Sequence, residues 1–386
     1  MNRYDYIIAG CGAAGLQLAL AMSEDSFFQN KRILLLDADD KRANDRTWCW
    51  WEHGSGRWDD IITKSWKRAD FMSDTFEKTI DLGDYTYKML RSADFYAHAS
   101  EKLRGFENIE WRTETVIEIK EQSDGAVVVT SDGSYQSKAV FNSIIDLKAE
   151  AAASAHPWIH QHFVGWFIRT KEPMFDDARF TMMDFRIAQH NSTRFMYVLP
   201  TSKHEALFEY TLFSGNLLAR SEYEEGIRDY LKQAGIHEYE IVEQEAGIIP
   251  MTTHPFHSKN SAHVLHIGSA GGWTKASTGY TFYLSGKQAM RLCANLKKGM
   301  SPISFHRKTR FAFYDAVVLD VLQRRNDVGA AFFTSVYKHN PIDRVFRFLN
   351  EESSLVEELQ IIRKSTPRAE LIRSVGRSVC PPFLCG

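Results

Sequence analysis

The chain has 386 residues, of which 44% are hydrophobic and 25% charged, and its formal net charge is -2. This length calls for two domains, or one with a large insertion, and the composition excludes intrinsic disorder. Without a domain-wide basic excess there is no case for a nucleic-acid partner.

The first element is Tyr4 to Gly15, YDYIIAGCGAAG. The apolar run Tyr6 to Ala9 predicts a strand and Leu16 to Ala21 a helix, with Gly10, Gly12, Ala13, Ala14 and Gly15 in the turn between them. In a dinucleotide fold the first glycine permits a tight turn, the second lets backbone approach a pyrophosphate, and the third lets helix pack on strand. The helix N-terminus adds free N–H groups and partial positive charge. A second apolar run, Arg32 to Leu36, ends in Asp37 about 22 residues past Gly15, where a carboxylate accepts ribose hydroxyls. The first strand begins within four residues of Met1, so no signal or transit peptide is expected.

Thr47 to Trp51 is an aromatic cluster that suits either a core hairpin or a wall beside the cofactor. Tyr85 to Leu90 predicts a strand, and Arg91 to His98 starts a helix with Ser92 or Asp94 as its cap. Arg91 at that junction suits a phosphate or flavin oxygen, or equally a surface ion pair. Glu110 to Ile119 and Ala126 to Thr130, with a turn at Asp132 to Ser134, predict an antiparallel meander. Ala139 to Asp146 predicts a buried strand that closes a dinucleotide-binding unit over residues 1–150.

From His162 to Phe213 four runs of β-formers alternate with short polar links, predicting one antiparallel sheet, a substrate domain over 151–245. Asp184 and Glu209 stand out there, each flanked by bulky apolar residues. Alternation can put either carboxylate on a solvated face. The competing reading is an apolar pocket that raises the pKa and poises the group as a general acid. Ser221 to Gly235 predicts a charged amphipathic helix.

Val264 to Phe282 repeats the order strand, glycine-rich loop, helix, with Gly268, Ala270, Gly271, Thr278 and Gly279 in the loop. It returns the chain, over 246–300, to the dinucleotide unit. The nearby His254, His257, His263 and His266 lack a metal-ligating pattern. Cys11, Cys49, Cys293, Cys380 and Cys385 show no CxxC spacing, so no metal site is expected and a reducing compartment is. From Leu284 onward the pattern is helical and basic residues outnumber acidic ones by about eight, with a C-terminal helical region placed over 301–386. That bias suits an anionic membrane leaflet or a solvated helical cap. No apolar run approaches the roughly 20 residues a spanning helix needs.

Taken together, these residues closely resemble the bacterial lycopene cyclase family of FAD-containing carotenoid enzymes. The resemblance runs through the YDYIIAGCGAAG opening, Asn44 to Cys49, Tyr87 to Tyr96, Gln161 to Gly165, Met183-Asp184, Tyr197 to Pro200 and Ala270 to Tyr280. Glu209-Tyr210-Thr211 falls where the family has a Glu-acid-Thr signature; Glu209 keeps the first acid and Tyr210 replaces the second. Ser269 stands where flavin hydroxylases usually carry an aspartate. The resemblance implies an α/β, Rossmann-like two-dinucleotide-binding FAD fold of glutathione-reductase type, with an inserted antiparallel sheet and a C-terminal helical region. It implies cofactor contacts from both glycine loops, Asp37, Arg46 and Arg91, with Glu209 as catalytic acid and Asp184 as the second candidate.

The reaction so implied is β-ring formation at the ends of lycopene or a related linear carotenoid. A terminal double bond is protonated, the neighbouring alkene attacks the cation, and loss of a ring proton closes the ring without net redox. FAD is expected in its reduced form, with NAD(P)H as reductant. A hydrocarbon of roughly 40 carbons gives up about 0.8 kcal/mol for each CH₂ drawn into water. A cytoplasmic protein docked peripherally on the membrane is therefore expected. Two other readings stay open: a flavin monooxygenase or polyprenyl reductase, which consumes NAD(P)H with product, and a carotenoid-binding flavoprotein without chemistry. An acid in an apolar run argues against the last, since a hydrocarbon site gains nothing from it.

Overall fold

The computed structural model describes residues 2–379. Its first sheet is ordered Ile109–Thr113, Ile33–Asp37, Asn2–Ala9, Ser134–Asn142, Gly125–Thr130, Val116–Gln122, with Val264–His266 also parallel to Ser134–Asn142. Ile7 to Ala9 and Ile33 to Leu36 are buried on both faces, which is why they read as continuous apolar runs rather than alternating ones. Helix Ala13–Ser23 is buried almost all round, clamped between this sheet and helix Phe282–Lys297. Residues 110–119 differ from the expected single limb of a meander. Ile109–Thr113 is the parallel edge strand, and only Val116–Gln122 turns antiparallel. The chain bends between them because the Glu114 N–H donates to the Asp37 carbonyl and its carboxylate accepts from Thr130 and Tyr135.

The second sheet is ordered Glu240–Thr252, Trp158–Arg169, Glu205–Ser214, Thr193–Pro200, Arg179–Asp184, Arg68–Ser73, Phe76–Asp81. The four predicted runs are its centre. It outgrows the 151–245 boundary at both ends, reaching Thr252 and recruiting 68–81 from the first part of the chain. Arg68–Ser73 pairs in parallel with Arg179–Asp184 and so covers what would be an open edge. A small third sheet joins Thr47–His53, Tyr85–Arg91 and Lys64–Trp66. Ser92 begins helix Ser92–Leu103, but its hydroxyl accepts the N–H groups of Asp45 and Arg46 and so pins that loop instead of capping its own helix.

The faces of the large sheet are covered differently. Helix Arg220–Gln233 packs on one face through Tyr223, Ile227 and Leu231 against Val164, Phe208 and Tyr210. The other face, bearing Leu207 and Phe213, meets the C-terminal helices Arg310–Arg324, Gly329–His339 and Ile342–Leu349. Two further helices, Leu355–Lys364 and Arg368–Val379, complete the described chain. Cys380 and Cys385 lie outside the described residues.

Candidate active site

One cavity of about 640 Å³ runs from the first glycine loop, along the large sheet, to the last two helices. At its inner end are Gly12, Ala13, Ala14, Gly268, Ser269, Thr278 and Gly279, so both predicted glycine loops meet there. The glycines have separate reasons. Gly10 has φ +91°, and a Cβ on Gly15 would lie 2.1 Å from the Gly10 carbonyl oxygen. A Cβ on Gly12 would meet no protein atom within 4 Å, because that position faces the open cavity. Ala270 and Gly271 shape the turn from behind and do not line the cavity; a Cβ on Gly271 would strike the His266 carbonyl. Asp37, expected to accept ribose hydroxyls, is not among the residues that line the cavity; it accepts from the Cys11 N–H at 2.6 Å and pairs with Lys41 at 3.2 Å, bracing the glycine loop.

These residues fit a dinucleotide. Gly12 leaves room for a phosphate beside the N-terminus of helix Ala13–Ser23, where unpaired N–H groups favour anions. Lys41 and Arg46 add positive charge to the same wall, and Arg46 has no carboxylate partner among the described residues. Further in, Gln161 Oε1 and Thr278 Oγ1 are buried on the cavity wall without a hydrogen-bond partner, two polar groups that call for a ligand or water. Arg91 is not part of this wall. Its guanidinium pairs with Glu243 and lies 4.1 Å from the Phe167 ring centre, the ion-pair alternative.

The middle of the cavity is set by strand register. Tyr197 lies opposite Glu209, Glu209 opposite Gly165, and Gly165 opposite Glu245. Directly opposite residues share a sheet face. The result is one row across four strands, in which two carboxylates flank a glycine. Gly165 leaves no side chain between them, and a Cβ there would sit 3.1 Å from Glu245 Cγ. Glu209 Oε1 accepts from the Thr211 hydroxyl at 2.5 Å, and Glu245 Oε2 from the Thr47 hydroxyl at 2.6 Å. Burial, then the Glu245 charge, pushes the Glu209 carboxyl up to about 8, against a smaller lowering by Thr211. Burial also raises Glu245, but the Thr47 hydroxyl and the Arg91 charge hold it back. The two acids therefore stand in unequal surroundings, one without a cation and one with.

Around them the wall is aromatic. The Tyr87 hydroxyl bonds Tyr197 at 2.6 Å and Tyr280 at 2.8 Å, and burial raises all three phenols. Trp48 and Cys49, from the cluster that suited a cofactor wall, also line the cavity, while Trp50 and Trp51 are core.

Asp184 is elsewhere. It pairs with Met196, one residue out of phase with Tyr197, so it belongs to the opposite face. There Arg186 grips it from both oxygens, at 2.8 and 2.9 Å, and Tyr230 donates at 2.9 Å. Tyr210 is on that face too, packed against Tyr223 and Gly226. Glu245, Tyr87 and Tyr280 were not singled out in the sequence as site residues. Glu245 sits in the acidic run EIVEQEAG, for which the sequence offered no site reading, and its register with Gly165 brings it to the cavity.

Residues 5–374 match the family model described as lycopene cyclase protein. The chain belongs to the lycopene cyclase family. It is similar to the lycopene beta-cyclase of Pantoea ananas, 26% identical over 259 residues, and to that of Pseudescherichia vulneris, 24% over 255 residues. Each match covers 64% of this chain, but only 63% and 62% of the respective relative. Among solved structures it resembles a geranylgeranyl bacteriochlorophyll reductase-like protein from Thermoplasma acidophilum (TM-score 0.62, 11% identity, 98% of this chain and 100% of that one). It also resembles a flavin-dependent brominase (TM-score 0.63, 13% identity, 97% and 99%). At such identities the likeness shows the flavoprotein fold alone. Within the family's Glu-acid-Thr signature, neighbouring strand positions face opposite ways. Tyr210, standing at the second acid, thus subtracts nothing from the cavity that Glu209 faces.

Proposed function

We propose that this member of the family is an FAD-dependent lycopene β-cyclase, closing β-ionone rings on a linear carotenoid without net redox. The observation that carries this reading is the pair of buried Glu209 and half-buried Glu245, set in an apolar, aromatic cavity that continues to the two glycine loops. Gly12, Ala13, Ala14, Arg46, Gly268, Thr278 and Gly279 would hold FAD, and when bound in reduced form, with NAD(P)H as reductant, it would supply negative charge beside a cationic polyene. Glu209 has no cation near it and keeps its proton at neutral pH. Since Thr211 donates to Oε1, the proton belongs on Oε2. Glu245, supported by Thr47 and Arg91, is the better carboxylate. Two acids whose surroundings push them apart divide the roles of acid and base.

Glu209 delivers its proton to the terminal alkene, the tertiary cation closes the ring, and Glu245 takes the proton lost from the ring. One proton enters and one leaves, so product and substrate are isomers. The ring faces of Tyr197, Phe195 and Phe213 along the wall favour the cation over neutral substrate. Among the described residues no helix is long and apolar enough to cross a membrane; substrate is drawn from the bilayer by a peripherally attached, cytoplasmic protein. Co-expression in a lycopene-accumulating bacterium, with pigment chromatography, tests the reading. Conversion to γ- or β-carotene is expected, and unchanged lycopene beside expressed, flavin-loaded protein would overturn it.

A further inference from the structure

The outer end of the cavity opens between helices that carry an exposed apolar face. On helix Leu355–Lys364, Leu355, Leu359 and Ile362 recur at helical spacing and are 59%, 59% and 45% exposed, with Val356 beside them. On helix Arg368–Val379, Ile372 is 70% and Val375 39% exposed. Single exposed apolar residues are ordinary, but a contiguous group marks an interaction site. Ile362 and Val375 belong both to this exposed set and to the cavity lining, and the exposed Phe313 of helix Arg310–Arg324 lines the cavity beside them, so patch and mouth are one surface.

The chemistry at the rim narrows the partner. Arg363, Lys364 and Arg368, in the turn between the two helices, are exposed and make no ion pair among the described residues. Lys364 and Arg368 donate only to the carbonyls of His339 and Arg363. By contrast the acids of these helices are spent within the fold: Glu357 on Arg347, Glu358 on Arg310, and Glu370 on Arg325 and Arg373. An apolar face rimmed by uncompensated cations matches helices that lie in the interface of an anionic bilayer.

We infer that helices Leu355–Lys364 and Arg368–Val379 form a docking face for an anionic phospholipid membrane, placing the cavity mouth against the acyl chains. The face stands on its own geometry; only the passage of a polyene through the mouth rests on the cyclase reading. Vesicle flotation of the flavin-loaded full chain tests it, using phosphatidylcholine alone and phosphatidylcholine with phosphatidylglycerol. Wild type should bind the anionic vesicles, by on the order of a hundredfold over neutral ones if each of the three cations contributes about fivefold. Leu359→Asp with Ile372→Asp should weaken binding by roughly tenfold or more. Arg363→Glu with Lys364→Glu should erase the anionic preference, and both variants should keep their flavin because all four side chains are exposed.

Wild-type flotation by the Leu359→Asp, Ile372→Asp variant would overturn the docking face. So would a wild type that ignores vesicles and sediments as a dimer which that variant dissociates, since the patch would then bind a second copy. A protein that docks through this face yet leaves lycopene unchanged would instead overturn the cyclase reading alone.

Discussion

Replacing Glu209 by glutamine should separate stability from catalysis in opposite directions. The wild-type carboxyl has a folded value near 8 against 4.5 for the free side chain. Between those two values the folded chain holds a proton that the unfolded chain has released. Stability from this group is therefore fully present below about 4.5 and is lost as pH rises toward 8, where the loss levels off. At pH 7, about 2.5 pH units above the unfolded value and about 1.36 kcal/mol for each, the group destabilises the fold by roughly 3 kcal/mol. Glutamine keeps the shape and the acceptor for Thr211, stays neutral, and carries no such pH-dependent term. Glu209→Gln should accordingly gain on wild type by about 1.4 kcal/mol per pH unit between about pH 5 and pH 8. Urea unfolding of both proteins across that range, at matched flavin content, measures it. Cyclisation should meanwhile fall by about 10²- to 10⁴-fold, as for loss of a general acid. A stability difference that stays flat with pH would refute a buried, protonated Glu209, whatever the activity did.

Gly12→Val should abolish FAD retention while leaving the far-ultraviolet circular dichroism intact, because a Cβ at this position meets no protein atom within 4 Å; a flavin-loaded variant would move the pyrophosphate elsewhere. Glu245→Gln removes the charge that helps raise Glu209, so the alkaline limb of the rate profile, expected near 8 in wild type, should move to lower pH. The rate itself should drop by about 10²-fold or more. Asp184→Asn breaks the grip of Arg186 and should lower unfolding free energy by about 1–3 kcal/mol with turnover unchanged; a selective loss of turnover would restore it to the site.

The strand, glycine turn and helix at the start of the chain were legible because their signals are local: glycines demanded by a positive φ at Gly10 and a backbone contact at Gly15, with strand and helix on either side. The antiparallel sheet was legible from four β-rich runs. Which face each acid takes was not. Asp184 and Glu209 look alike in sequence, and a bulge between Thr181 and Asp184 together with pairing to Met196 sends one to helix Arg220–Gln233 and the other to the cavity. Glu245 was hidden for the same reason: Glu240 is exposed, Glu243 is half-buried like Glu245 itself, and nothing in the run marks the one that faces the cavity. Arg91 was balanced between two roles, and the choice fell to Glu243, a partner 152 residues away. Long-range pairing also moved 68–81 into the second sheet, which no local pattern in that stretch announces.

Cyclisation of lycopene in deuterium oxide by the flavin-loaded protein, with the product analysed by mass spectrometry, tests the central claim most directly. Proton entry from Glu209 and proton loss to Glu245 predict one solvent deuterium retained for each ring closed, in a product otherwise isomeric with lycopene, and no matching consumption of NAD(P)H. A product that has gained two hydrogens, or an oxygen, with one equivalent of NAD(P)H consumed, would contradict it.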